Sequence, residues 1–333
     1  MFFKFFIFNF CLFFIFYFII SFFAKELKLI DYPNSEKTHK NPTPAIGGVI
    51  FLLLYISIFF QYLIFDELNY FHSALVVASL LIFFVGYYDD LKDNNPYLKT
   101  FFFISVIFIF LFFNQEILIK KILISFIDAT YVLNNFFSYI FTILCFWLLM
   151  NSFNLTDGFN GVALSLAIVF FTSLITLFDL SEVDHFFIIN IIFFLVIILI
   201  FNLFGKLFLG NNGAYLISFI LAVYLIKFYN LKIINEKIFT DKIFLILMIP
   251  GLDMLRLFLE RLKMKKNPLK RDKNHLHHNL EKIVPEKYVF LLYSLLVIIP
   301  IVLDQVFNNI TIPLIIIFFL IYLFLINRLR KLG

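Results

Sequence analysis

The sequence predicts an all-α, polytopic membrane protein, and three observations carry that prediction. Apolar and aromatic residues of the AVILMFWYC class fill 62% of its 333 positions and charged residues 15%, against about 45–50% and 25% in an average soluble domain. The apolar residues fall in long runs, most of them near the ~20 residues that a helix needs to cross a bilayer. The charges collect in the short segments between those runs, so polar chemistry is confined to the two water interfaces.

About eleven spans follow in order: 2–23, 46–65, 71–88, 100–114, 136–150, 162–180, 186–204, 214–229, 242–260, 288–303 and 311–327. The first has only Lys4 ahead of its apolar run and no clear small-residue cleavage site, so it is expected to be a retained helix and not a signal peptide. The two shortest runs, 100–114 and 136–150, leave room to extend into the 115–135 connection. Cys11 and Cys145 lie inside apolar runs with no His or Cys nearby, which leaves them as small lipid-buried residues.

Charge sets the orientation. Odd-numbered loops carry Lys25, Lys28, Lys37 and Lys40, then Lys92 and Lys99, then Lys206, then a dense group from Arg261 to Lys287. The other side has scattered lysines: Lys4, Lys120, Lys121, Lys227, Lys232, Lys237 and Lys242. The positive-inside rule therefore places the odd loops and the Arg328–Lys331 tail in the cytoplasm and the N-terminus outside. One domain, 1–333, is expected, with cytoplasmic active-site segments at 24–45, 89–99, 151–161, 205–213 and 261–287. With the net charge of +5 spread over such loops, a bilayer and not a nucleic acid is the expected partner.

All the polar motifs fall on that cytoplasmic side. In the first loop, Pro42 and Pro44 fix the backbone and Gly47-Gly48 permits a close approach as the second span begins; a stiff turn alone would explain them. Lys37, His39 and Lys40 beside that rigid backbone suit a phosphate or lipid headgroup. The third span ends in Asp89-Asp90, two adjacent carboxylates whose repulsion a divalent cation would relieve, as would Lys92 and Lys99 without a metal. The stretch Asn151–Gly161 carries Asn154, Asp157 and Asn160 at a spacing of three; continued as a helix it would show them on one face, with Gly158 and Gly161 leaving space for a ligand.

Gly210-Asn-Asn-Gly213 signals a turn leading into a helix. Pro250 should kink the ninth span, beyond which Asp253, Arg256, Glu260 and Arg261 recur at near-helical spacing, either as site residues or as a helix end with internal ion pairs. In the loop after it, His275, His277 and His278 stand near Lys270, Arg271 and Lys273, cations that oppose a zinc site and favour donation to phosphate. His72 and His185 are expected at the outer face without a role. The acids Asp66, Glu67, Asp128, Asp179, Glu182, Asp184 and Asp304 are expected there as solvated caps.

Taken together these motifs resemble the polyprenyl-phosphate N-acetylhexosamine-1-phosphate transferases, the family that includes the phospho-N-acetylmuramoyl-pentapeptide transferase of peptidoglycan synthesis. The resemblance covers nearly the whole chain: Lys37-Thr-His39, Pro42-Thr-Pro44, Gly47-Gly48, Gly86 with Asp89-Asp90, Asn151 with Asn154 and Asp157-Gly158, Gly210 with Gly213, Pro250 with Asp253, and Asp272 with His275-Leu-His-His278. It implies transfer of a sugar-1-phosphate from a UDP-N-acetylhexosamine to undecaprenyl phosphate, with release of UMP and with Mg²⁺, or Mn²⁺, as cofactor, at the bacterial inner membrane. N-acetylglucosamine is the first expected sugar, and initiation of a surface polysaccharide such as O-antigen the expected purpose.

The resemblance further implies Asp89, Asp90 and Asp157 as catalytic residues and Asp90, Asp157 and Asn211 at the metal, with Asp89 near the lipid phosphate and its role as a base left open. Lys37, His39, Lys99, Asn154, Asn160, Lys270, Arg271, His275, His277 and His278 are the implied substrate-binding residues. Asn211 stands where the family commonly has a metal-ligating Asp, Ala45 where it often has a basic residue, and Asn160 where the central motif often has a second Asp. The last two features of the pattern, Asn160 and His275-Leu-His-His278, favour the polysaccharide-initiating branches. A homodimer is left open, and a transporter and a catalytically weakened homologue are the alternatives.

Overall fold

The computed structural model describes residues 2–33, 41–64, 70–91, 95–235, 238–266, 274–307 and 310–331. Among them are α1 (Phe2–Phe23), α2 (Gly47–Ile64), α3 (Tyr70–Leu91), α4 (Pro96–Phe113), α5 (Asn135–Thr156), α6 (Val162–Leu177), α7 (Glu182–Leu203), α8 (Gly210–Asn235), α9 (Thr240–Lys263), the short α10 (Leu276–Leu280), α11 (Glu286–Val306) and α12 (Thr311–Arg330). Eight of these helices are long and apolar enough to cross a membrane. The α2 and α6 helices are apolar but shorter, and α9 carries charges through its second half. The chain is thus an all-α, multi-pass membrane protein; each expected span falls on a helix, and eight of those helices are long and apolar enough to cross.

Local chemistry sets several of the boundaries. Asn95 opens α4 by accepting from Tyr97 N–H, with Pro96 in the first turn where its missing N–H is harmless. Asn134 and Ser181 cap α5 and α7 in the same way, through Phe137 N–H and Asp184 N–H. The 115–135 connection does not extend either neighbouring span. It forms a single 3₁₀ turn, Gln115–Ile117, and an antiparallel hairpin of β3 (Lys121–Ile124) and β4 (Ala129–Val132). Tyr229 of α8 closes this hairpin to the bundle, accepting from Leu123 N–H and donating to Lys121 C=O.

The middle of the bundle is α8, with 83% of an 18-residue apolar stretch of it buried against at most 50% in any other candidate span. It packs on α2, α3, α5 and α6. A chain of three carboxamides ties α1, α2 and α7 together inside the apolar region: Gln61 donates to Asn9, and Asn9 donates to Asn190, each at 2.8 Å. Such groups are costly in hydrocarbon unless paired, so they lock the three helices in one register.

Two of the acids expected as solvated caps are buried instead. Asp184 is 6% exposed and pairs with Lys227 at 2.7 Å, and Asp304 is 3% exposed and accepts from Thr311 at 2.5 Å. Their partners lie on other helices or across a turn, and a buried charge persists only where such a partner exists. Asp179, by contrast, is exposed as expected.

Candidate active site

The site begins where α2 and α8 start. Gly210, at φ +78°, turns the chain into α8, and the loop before it pairs with the start of α2: Phe208 N–H donates to Pro44 C=O, Gly47 N–H to Phe208 C=O and Gly48 N–H to Leu209 C=O, each at 2.9 Å. The two helix ends then meet backbone to backbone. A Cβ on Gly48 would fall 2.4 Å from Gly213 N, and one on Gly86 would fall 2.8 Å from Asn212 Cα. Only glycine allows α2, α3 and α8 this proximity.

That proximity delivers the end of α3 to the first turn of α8. Asp90 Oδ1 accepts from Asn211 N–H at 3.1 Å, and Asp90 Oδ2 accepts from Asn212 N–H at 3.0 Å and from Asn212 Nδ2 at 2.7 Å. The carboxylate thus caps a neighbouring helix, where free N–H groups and the helix dipole both favour an anion. Asp89, one residue earlier, is nearly buried; its Oδ2 accepts from Lys99 Nζ at 2.9 Å and from Asn211 Nδ2 at 3.2 Å. Lys99 also lies over the ring of Tyr215, 5.2 Å from its centroid. Asp89, Asp90, Lys99 and Asn211, four of the expected site residues, therefore form one contact set.

A second cluster forms at the end of α5. The helix does not run on to Asn160: it stops at Thr156, with Asp157 as its C-cap and a turn through Gly161, whose φ is +84°. Two glycines within four residues disfavour a continuing helix, and the left-handed Gly161 starts α6 in a new direction. The turn is fastened by Asn202, which accepts from Gly161 N–H at 2.6 Å and donates to Leu207 C=O at 3.0 Å. Asn202 escapes a reading by sequence motif; its only signal is a lone amide inside an apolar run.

The histidines reach this turn. His277 is 1% exposed and lies on Gly158, where a Cβ would come within 2.2 Å of its Nε2. Phe159 presents its ring to His277 at 5.5 Å and to His278 at 4.9 Å, both edge to face. Two polar atoms here, His277 Nε2 and Asn154 Oδ1, are buried with no hydrogen-bond partner among the described residues. Buried groups of this kind are rare unless a ligand or water completes them. Burial, reinforced by the nearby His278 and His275 and only partly opposed by Asp253, holds the His277 imidazole well below the usual histidine range.

His277 therefore stays neutral while an unfolded chain would charge it below about pH 6.5. The folded state then binds fewer protons than the unfolded one, so stability is fully present above that pH and falls below it, by at most about 1.4 kcal/mol per unit. Replacing His277 with Asn should narrow the gap between melting temperatures at pH 7.5 and pH 5.5 in detergent; an unchanged gap would show that another group sets it.

Of the remaining expected residues, Asp157 stands at the α5 end and Asn160 is half-buried in its turn. His275 stacks on His277, the ring centroids 5.5 Å apart and the planes parallel. Lys37, His39, Lys270 and Arg271 lie outside the described residues. No group of three His, Cys, Asp or Glu able to hold a metal occurs among the described residues. By chemical type Asp89, Asp90 and Asn211 suit an ion of the magnesium type, which takes one or two carboxylates and completes its shell with phosphate and water, with the Asn211 amide turning its nitrogen, not its oxygen, to Asp89 in this arrangement.

Residues 72–229 match the family described as glycosyl transferase family 4. That segment begins near the start of α3 and ends inside α8, so it includes Asp89, Asp90, Lys99, Asp157 and Asn211. Among similar proteins is the undecaprenyl-phosphate alpha-N-acetylglucosaminyl 1-phosphate transferase of Thermotoga maritima, 28% identical over 261 residues, which are 78% of this chain and 75% of the relative. Proteins of the same description from Yersinia pestis and Escherichia coli K12 are each 26% identical, over 77% of this chain and 70% of theirs.

Proposed function

We propose, on the match of residues 72–229 to glycosyl transferase family 4 and on the similar transferases, that the chain transfers N-acetylglucosamine-1-phosphate, or a related N-acetylhexosamine-1-phosphate, from a UDP-sugar to undecaprenyl phosphate. The observation that carries this reading is the contact set of Asp89, Asp90, Lys99 and Asn211. It joins an ammonium, two carboxylates and a helix N-terminus at one end of a membrane bundle, which is the chemistry a phosphate on a lipid requires. The relatives described as transferases of this type support the same reading. We place the site on the cytoplasmic side of the bacterial inner membrane, on the charge of the loops that share it.

In this account an oxygen of the lipid phosphate attacks the sugar-linked phosphorus of the UDP-sugar. The bond from that phosphorus to the bridging oxygen breaks, and UMP leaves with the electron pair. Lys99 draws the acceptor phosphate to the end of α3, and Asp89 holds Lys99 in place. Asp90 fixes the first turn of α8, so that Asn211 stands beside Asp89. His277, His278 and Asn154 line the turn that receives the donor, the neutral His277 giving a hydrogen bond without a charge. Magnesium, held by Asp89, Asp90 and the amide oxygen of Asn211 together with substrate phosphates, would neutralise the charge that develops on the leaving diphosphate oxygen.

The test is the purified protein with undecaprenyl phosphate, Mg²⁺ and a panel of UDP-sugars. UMP and a lipid-linked sugar should form with at least one N-acetylated donor, and absence of both with every such donor would sink the reading. Restoring a carboxylate by Asn211→Asp should lower the Mg²⁺ concentration needed for half-maximal rate several-fold, because a charged oxygen binds the ion more tightly than an amide. A flat response would show that position 211 does not touch the ion.

A further inference from the structure

The histidines of α10 do not hold their own position. The chain from Asn274 to Leu280 is fastened from beneath by α9 and α12, and the fastening centres on Asp253, whose carboxylate is almost entirely buried. Asp253 Oδ2 accepts from Leu276 N–H at 3.0 Å and lies 3.2 Å from His275 Nδ1. Asp253 Oδ1 accepts from Arg256 Nη2 at 2.8 Å and from the Tyr322 hydroxyl at 3.0 Å. Arg256 closes the ring: its Nε donates to the Tyr322 oxygen at 2.8 Å and its Nη2 to Asn274 C=O at 2.7 Å.

One carboxylate thus holds the first backbone N–H and the first side chain of the histidine segment, while the guanidinium beside it holds the preceding carbonyl. The end of α12 adds a further tie, since Lys282 donates to Leu329 C=O at 3.0 Å. Asp253, Arg256 and Tyr322 all lie outside residues 72–229, the segment that matches the family. They reach the His277 site through the histidine segment, by way of Leu276 N–H, His275 and Asn274 C=O.

We propose that Asp253, Arg256 and Tyr322 form a clamp by which the last helix, α12, positions His277 and His278 for the diphosphate of the donor, and that Tyr322 is therefore a positioning residue for nucleotide-sugar binding. The inference rests on the transfer reaction proposed above. A clamp built from a buried carboxylate suits this task because the segment it holds is short: five helical residues cannot sustain a fixed orientation by themselves.

Tyr322→Phe removes the hydroxyl and keeps the ring, and Arg256→Lys keeps the charge but loses the planar fork. Two readouts on the purified full chain test the clamp: hydrogen exchange of the backbone amides from 274 to 280, and the affinity for UDP measured without the lipid substrate. Exchange at 274–280 should quicken about tenfold in both variants with α8 unaltered. UDP affinity should weaken several-fold, and in turnover KM for the UDP-sugar should rise while KM for undecaprenyl phosphate holds. Unchanged exchange, or quickened exchange with wild-type UDP affinity, overturns the clamp. Wild-type protein that binds no UDP overturns the reaction reading and the clamp's role with it, and is told apart because the failure appears before any substitution is made.

Discussion

Asp89→Asn is expected to lower turnover at least tenfold, about 1.4 kcal/mol of barrier. The substitution removes the charge that faces Lys99 Nζ at 2.9 Å and leaves the shape of the side chain almost intact. Lys99 then has an amide in place of its anion, in a pocket where its own side chain is 16% exposed, and a part-buried cation without its partner moves or is destabilised. The variant also decides between two roles for Asp89. A phosphate monoester has its second pKa near 6, so above about pH 8 undecaprenyl phosphate needs no base to become a dianion. If Asp89 acts by holding Lys99, as the geometry indicates, the loss persists from pH 7 to pH 9. A loss that disappears at high pH would make Asp89 the base, and an unchanged rate would make the pair a mere helix end.

Gly48→Ala should be the most damaging single methyl group in the chain. Its Cβ would fall 1.8 Å from Asn212 Oδ1, 2.4 Å from Gly213 N and 2.6 Å from Gly213 Cα. Two of those atoms are backbone, so no rotamer relieves the overlap, and α2 and α8 must separate. Overpacking of this kind costs about 3 kcal/mol or more when the backbone has to shift. The overlap falls on Asn212 and Gly213, directly after Asn211, so relieving it strains the bonds that hold this turn to Asp89 and Asp90. The expected result is a large fall in melting temperature in detergent together with loss of activity. Gly251→Ala is the control: a Cβ there meets nothing within 4 Å, and in a helix interior alanine is favoured over glycine by about 1 kcal/mol. If the two variants melt alike, the close approach of α2 and α8 is not what Gly48 provides.

The spans were legible because a bilayer imposes a length and a polarity that hold residue by residue. The Asp89-Asp90 pair and Gly210-Asn-Asn-Gly213 were legible as polar or glycine-rich breaks between apolar runs, and the structure brings them into contact. What escaped was whatever depends on a partner chosen by tertiary packing. The hairpin from Lys121 to Val132 gains its support from Tyr229, 108 residues beyond Lys121. Asp184 reads as a cap until Lys227, 43 residues on, is seen to face it. Tyr322 is one aromatic residue among 53 Phe and 16 Tyr, and nothing but the fold sets it against Asp253. The central turn was legible in composition but not in shape, since spacing of three suggests a continuing helix, whereas α5 stops at Thr156 and Gly161, at a left-handed φ, starts α6.

The central claim is that the bond broken lies between the two phosphorus atoms of the UDP-sugar, so that phosphate travels with the sugar. A donor carrying radioactive phosphorus in the sugar-linked position tests it directly, with the purified protein, Mg²⁺ and undecaprenyl phosphate. The account predicts that the label passes to the lipid fraction and that the nucleotide released is unlabelled UMP. Release of labelled UDP, with sugar but no label on the lipid, would contradict it.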